Sequence, residues 1–88
     1  MANNFAYSEV QAAGMEVQFG AFKNEALAQQ QIGKAKLLGI YDAQIKMGHH
    51  ANGRIIYRTV VATTNHNEAN KAVIRLKENG IDSIILSK

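Results

Sequence analysis

Gln18 and Arg58 are the side chains in this sequence best suited to holding a polar ligand, and each sits in an alternating apolar/polar segment. A carboxamide offers two donors and an acceptor, and a guanidinium offers five donors in a flat fork. Such groups hold a ligand by its hydrogen-bonding edges, without making or breaking bonds. Groups for reaction chemistry are sparse. His49 and His50 are adjacent in the stretch Gly48 to Gly53, with no acidic residue nearby in sequence. A zinc centre needs a third protein ligand, so the pair reads as solvated loop residues and no metal is expected. His66 stands beside a helix cap and reads as a surface residue. The two aspartates, Asp42 and Asp82, do not form a matched pair. Cysteine is absent, which excludes thiolate ligands and disulfides. Gly14, Gly20, Gly39 and Gly80 are scattered and build no phosphate loop. No set of acid, base and nucleophile is visible, so the expectation is a protein that is not an enzyme and carries no cofactor.

The elements that position Gln18 and Arg58 occur twice. Glu16 to Gly20 alternates as a half-buried strand. Phe22 then falls on the wrong parity, and a bulge near Gly20 would return it to the face of Val17 and Phe19. That bulge places Gln18 and Ala21 on the opposite face. Asn24 is a helix N-cap, Ala28, Ile32, Ala35 and Leu38 form an apolar stripe, and Gly39 sits where a left-handed residue ends a helix. Ile40 to Met47 alternates again, with Asp42, Gln44 and Lys46 on the polar side. Arg54 to Ala62 reads as a third strand. Asn65 with Glu68 predicts a capping box, followed by a stripe of Ala69, Ala72, Val73 and Leu76. Gly80 ends that helix, and Ile81 to Leu86 is the fourth strand.

The halves superpose at a fixed offset that pairs Asn24 with Asn65, Ala28 with Ala69, Ile32 with Val73, Gly39 with Gly80 and Ile40 with Ile81. One βαβ unit leaves its core half covered, and doubling it completes the core. The order β-α-β-β-α-β predicts an α+β, ferredoxin-like (RNP-like) fold: a four-stranded antiparallel sheet with both helices on one face. The other face stays open. By alternation it carries Gln18, Ala21, Ile56, Arg58 and Val60, with Asp42, Gln44 and Lys46 from strand two and Ser83 and Ile85 from strand four.

The chain of 88 residues has room for one domain. Its 47% hydrophobic and 19% charged content excludes disorder as the default state. A net charge of +3 is a mild bias towards anionic partners, short of a nucleic-acid footprint. No apolar run is long enough to cross a bilayer, so direct membrane insertion of this segment is not expected. Residues 1–13 lack periodicity and read as a flexible tail, with Phe5 and Tyr7 able to pack back onto the body. Residues 14–88 form the domain.

Val17-Gln18-Phe19-Gly20-Ala21-Phe22 resembles the opening signature of the SPOR (sporulation-related repeat) domain: an apolar residue, Gln, an apolar residue, Gly, a small residue and Phe. The helix ends Lys36 to Ile40 and Leu76 to Ile81 resemble the family too, as does Tyr57-Arg58. The resemblance covers about residues 15 to 87 and implies a peptidoglycan-binding module. It implies glycan strands stripped of stem peptides as partner, bound on the sheet face, in a cell-wall or division protein of the bacterial envelope. An anchor or export signal would then lie outside this chain. Carried over by position, Gln18 and Arg58 match polar binding positions and Ala21 a small residue at the ligand. Ile85 matches an apolar contact, and Ile56 sits where some members carry an aromatic platform. The sequence departs from the family pattern at Ile56 and at Ala62-Thr63, where Gly-Pro is frequent. Losing a stacked ring costs roughly 1 kcal/mol.

Two other functions fit the scaffold. A small-molecule regulatory or dimerisation domain would bind no polysaccharide, whereas the glycan-binding expectation is a monomer. RNA binding would need aromatic residues on the open face of the central strands, and neither Gln18 and Ala21 nor Ile56, Arg58 and Val60 supplies one.

Overall fold

The computed structural model describes residues 14–87. The suggested packing of Phe5 and Tyr7 lies outside the described residues. The elements run β1 (Met15–Phe22), α1 (Glu25–Leu37), β2 (Gln44–His49), β3 (Ile55–Thr63), α2 (His66–Glu78) and β4 (Ile84–Ser87). The four strands form one sheet in the order β2-β3-β1-β4, and every neighbouring pair is antiparallel. This is the β-α-β-β-α-β arrangement expected from the repeat.

The two helices begin and end alike because their terminal residues are alike. Asn24 accepts a hydrogen bond from the Ala26 N–H at 2.7 Å, and Asn65 from the Glu68 N–H at 2.9 Å. Each satisfies a backbone donor that the first turn leaves without a partner. At the other end, Gly39 and Gly80 have φ of 86° and 80°. The N–H of Ile40 reaches the Ala35 carbonyl at 2.9 Å, and that of Ile81 reaches Leu76 at 2.9 Å. Gly39 and Gly80 donate to Lys36 and Lys77. Both ends are therefore Schellman motifs, in which glycine adopts a left-handed backbone without a Cβ clash.

Both helices cover the same side of the sheet. The core joins Val17, Phe19 and Val61 of the central strands to Ile32, Ala35, Ala69 and Leu76 of the helices, with Ile40 closing one end. Apolar burial on this face is the main stabilising term. The register of β1 against β3 shifts between Gln18 and Gly20: Gln18 pairs with Val60, and Gly20 with Thr59. The bulge carbonyl of Phe19 accepts from the Gln31 Nε2 of α1 at 3.0 Å. After the bulge Ala21 faces Arg58 and Phe22 faces Tyr57. Phe22 thus returns to the core side, as the sequence predicts.

Candidate functional site

The register fixes which side chains share the open face. Val17 pairs with Val61 in the core, so the neighbouring pairs Gln18 with Val60 and, beyond the bulge, Ala21 with Arg58 lie on the opposite side. From β2, Gln44 pairs with Val60, Lys46 with Arg58 and Gly48 with Ile56. Gln18, Ala21, Ile56 and Arg58 are thereby brought onto one surface. Ala21 is exposed, while Gln18, Ile56 and Arg58 are half-buried.

Ile85 does not join them. It pairs with Val17 and packs against the core, so the expectation that it lies on the open face is corrected. Ser83 shares its parity, and its hydroxyl is buried. The β4 residues on the open face are Ile84, opposite Gln18, and Leu86, opposite Glu16. The strand begins at Ile84, three residues later than expected. Val60 also departs from the exposed position anticipated for it: it is 2% exposed. It lies between Gln18 and Gln44 in the two ladders, and an ion pair spans it.

That ion pair is the feature the sequence reading missed. Glu16 is on the open face, opposite Ala62, yet its side chain is only 6% exposed. Its carboxylate binds the Lys46 ammonium at 2.5 Å, reaching from β1 across β3 to β2. Arg58 stands 3.9 Å from the other carboxylate oxygen and donates to Gln18 Oε1 at 3.2 Å. Lys46, Glu16, Arg58 and Gln18 form one connected polar network that runs from the edge strand β2 across β3 to β1. A buried carboxylate is tolerable because it is paired. The parity Glu16 shares with Gln18 was the signal that could have found it.

The network holds Arg58 in place and leaves much of its fork unspent. One NH1 donor goes to Gln18, and the Gln18 amide nitrogen donates to nothing among the described residues. Around these donors lie the apolar Ile56, Ile84 and Leu86. Hydrogen-bonding edges flanked by aliphatic surface suit a ligand with both polar rims and carbon faces. The strands contribute no aromatic residue to this face: Phe19, Phe22 and Tyr57 lie on the core side, and Tyr41 falls outside the strands. Among the described residues no group of three or more His, Cys, Asp or Glu could hold a metal ion, and no helix is long and apolar enough to cross a membrane. His49 and His50 are exposed at the β2–β3 hairpin.

A doubled βαβ unit with a four-stranded antiparallel sheet and both helices on one side defines an α+β domain of the RNP-like class. Residues 12–87 match the family model described as SPOR domain, and the chain belongs to that family. No curated protein sequence matches it. Among solved structures it is similar to the peptidoglycan binding domain of the B. subtilis cell wall lytic enzyme CwlC. That match has 23% identity and a TM-score of 0.65, covering 85% of this chain and 89% of that one. It is also similar to the RlpA SPOR domain from Pseudomonas aeruginosa, with 18% identity and a TM-score of 0.66, covering 84% of this chain and 99% of that one. At these identities the two structures establish the shared fold.

Proposed function

We propose that this chain is a non-catalytic peptidoglycan-binding module that takes glycan strands, stripped of stem peptides, on its open sheet face. The observation that carries the reading is the Arg58–Gln18 pair, held at 3.2 Å on that face in a chain of the SPOR family. A neighbour of the same fold is itself a peptidoglycan binding domain. Arg58 and Gln18 donate to sugar hydroxyl, acetamido and lactyl oxygens. Ala21, exposed beside them, lets a ring approach the backbone. Ile56 supplies apolar contact where an aromatic platform would stack, which favours modest affinity. In β4 that contact comes from Ile84 and Leu86, with Ile85 supporting the sheet from the core side.

The module directs whatever it is joined to towards the cell wall, on the envelope side where the polymer lies. One copy suffices, because a single chain supplies the whole face. Among the described residues the strands put no aromatic side chain on that face, which disfavours RNA.

Co-sedimentation with purified sacculi, before and after amidase removal of stem peptides, tests the reading. Binding should rise on stripping. A hydrogen bond to a charged group contributes about 1.5–3 kcal/mol, so Gln18→Ala with Arg58→Ala should weaken binding by at least about tenfold. Undiminished pelleting of the double variant would remove this face from the account.

A further inference from the structure

Three basic side chains meet at one end of the sheet, beyond the network. Lys23 follows β1, and His50 and Arg54 close the β2–β3 hairpin. Together with Asn52 they line a cleft of about 430 Å³. Ile55, the first residue of β3, also lines it, so the cleft sits at the rim where the sheet ends. The hairpin is well braced. The His50 N–H reaches the Arg54 carbonyl at 2.9 Å, and the Gly53 N–H reaches the His50 carbonyl at 2.9 Å. Asn52 Oδ1 accepts from the Arg54 N–H at 3.0 Å, and Gly53 has φ of 85°. This closed turn presents His50 and Arg54 side by side.

Among the described residues no carboxylate pairs with these groups. Among the described residues the ion pairs all belong to Glu16, with Lys46 and Arg58, and Lys23 and Arg54 have none. The acid nearest in sequence, Glu25, lines a different groove between α1 and β2 with Gln29, Ile32 and Tyr57. Lys23 and Arg54, two cations converging on one cleft with no counter-ion among the described residues, make a site for an oxyanion. Arg54 stands immediately before β3, four residues from Arg58 and about 13 Å away along the strand direction. A polymer held at Arg58 and running along β3 therefore passes over the cleft. Stem peptides are joined to the glycan by an amide on its lactyl carboxyl group. Their removal leaves a free carboxylate on the strand.

We infer that the cleft formed by Lys23, His50 and Arg54 is an oxyanion subsite for a carboxylate of the bound glycan strand. The inference rests on the sheet-face reading above and adds the group through which stripped strands are distinguished. Arg54 and Lys23 bind the carboxylate by charge-assisted hydrogen bonds, and the His50 imidazole provides a further donor. A strand whose lactyl group is still in amide linkage offers no lactyl carboxylate to the cleft and places a peptide in its way.

The test compares two forms of stem-stripped sacculi, one with free carboxylates and one with them converted to neutral methylamides. Wild-type protein should pellet about tenfold less well with the neutralised material, as expected for loss of a charge-assisted contact. Lys23→Gln with Arg54→Gln should bind the free-carboxylate material about as weakly as wild type binds the neutralised one. It should lose little more on neutralisation, and its affinity should depend less on salt. All the substituted side chains are exposed, and an unchanged melting temperature confirms the variant is folded. Equal pelleting of variant and wild type on free carboxylates overturns the inference. So does a loss of the same size on both materials. If Gln18→Ala with Arg58→Ala abolishes binding while the cleft variant binds normally, the cleft inference alone fails. If wild type pellets with neither material, the sheet-face reading fails and the inference with it.

Discussion

Replacing Gly20 by alanine adds one methyl group at the bulge that turns Ala21 towards the open face. Gly20 is not among the left-handed glycines, so the cost is one of space. A Cβ there would stand 2.6 Å and 2.9 Å from two ring carbons of Phe22 and 2.8 Å from the Thr59 hydroxyl. Three contacts under 3 Å cannot persist. Thr59 is fully buried on a central strand and has nowhere to go. The half-buried Phe22 ring can swing outwards, at the expense of its packing. Overpacking of this kind costs about 1–3 kcal/mol. For a domain of this size, 2 kcal/mol corresponds to a melting temperature lower by about 8–16 °C. Gly33 is the internal control. It is exposed in α1, and a Cβ there meets nothing within 4 Å. Gly33→Ala should stabilise by about 0.5–1 kcal/mol, because alanine favours the helix. Thermal and urea denaturation of both variants reads the difference. The same methyl group should act with opposite sign at the two sites, and Gly20→Ala should also weaken glycan binding. A Gly20→Ala protein as stable as wild type would refute the packing at the bulge.

Other perturbations follow from the same geometry. Gly80→Ala forces a side chain into a left-handed backbone with open space around it, and should lower stability by about 1–2 kcal/mol in urea titrations. Gly39→Ala should cost at least as much, since its Cβ would also approach the Arg75 guanidinium at 3.2 Å. Asn65→Ala removes the α2 cap and should cost about 1 kcal/mol, read as a lower melting temperature. The Glu68 carboxyl is held below its ordinary value, first by the backbone N–H of Thr64, then by the Thr64 hydroxyl, with Lys71 adding to the effect. Its folded-state pKa is depressed, so its contribution is present above the unfolded carboxylate range and is lost as pH falls through the folded value. Glu68→Gln should therefore flatten the acid limb of the stability profile and leave its slope at neutral pH unchanged.

The parts of the fold readable from sequence are those set by local chemistry. Asn24 and Asn65 announce helix starts, Gly39 and Gly80 announce stops, and their common offset reveals the repeat. The displaced parity of Phe22 reveals the bulge, because a core aromatic cannot face solvent without cost. The capping box at Asn65 was half legible: Asn65 caps as expected, but Glu68 reaches back to Thr64 and not to Asn65. Strand four was opaque for a physical reason. Ile84, Ile85 and Leu86 are all apolar, so alternation carries no information there, and only pairing with β1 decides that Ile85 faces the core. Glu16 was hidden differently. An acidic residue in a strand reads as solvated, and its burial depends on Lys46 arriving from β2, thirty positions away in the chain.

The central claim is that the open face of β1 and β3 holds the glycan. The most direct measurement is an amide chemical-shift titration of the labelled domain with soluble, stem-stripped glycan fragments. The account predicts shifts concentrated at Gln18, Ala21, Ile56 and Arg58 and extending to Arg54, with the α1 and α2 amides of Ala28, Ile32 and Ala69 unmoved. Shifts confined to the helices, or to the groove between α1 and β2, would contradict it.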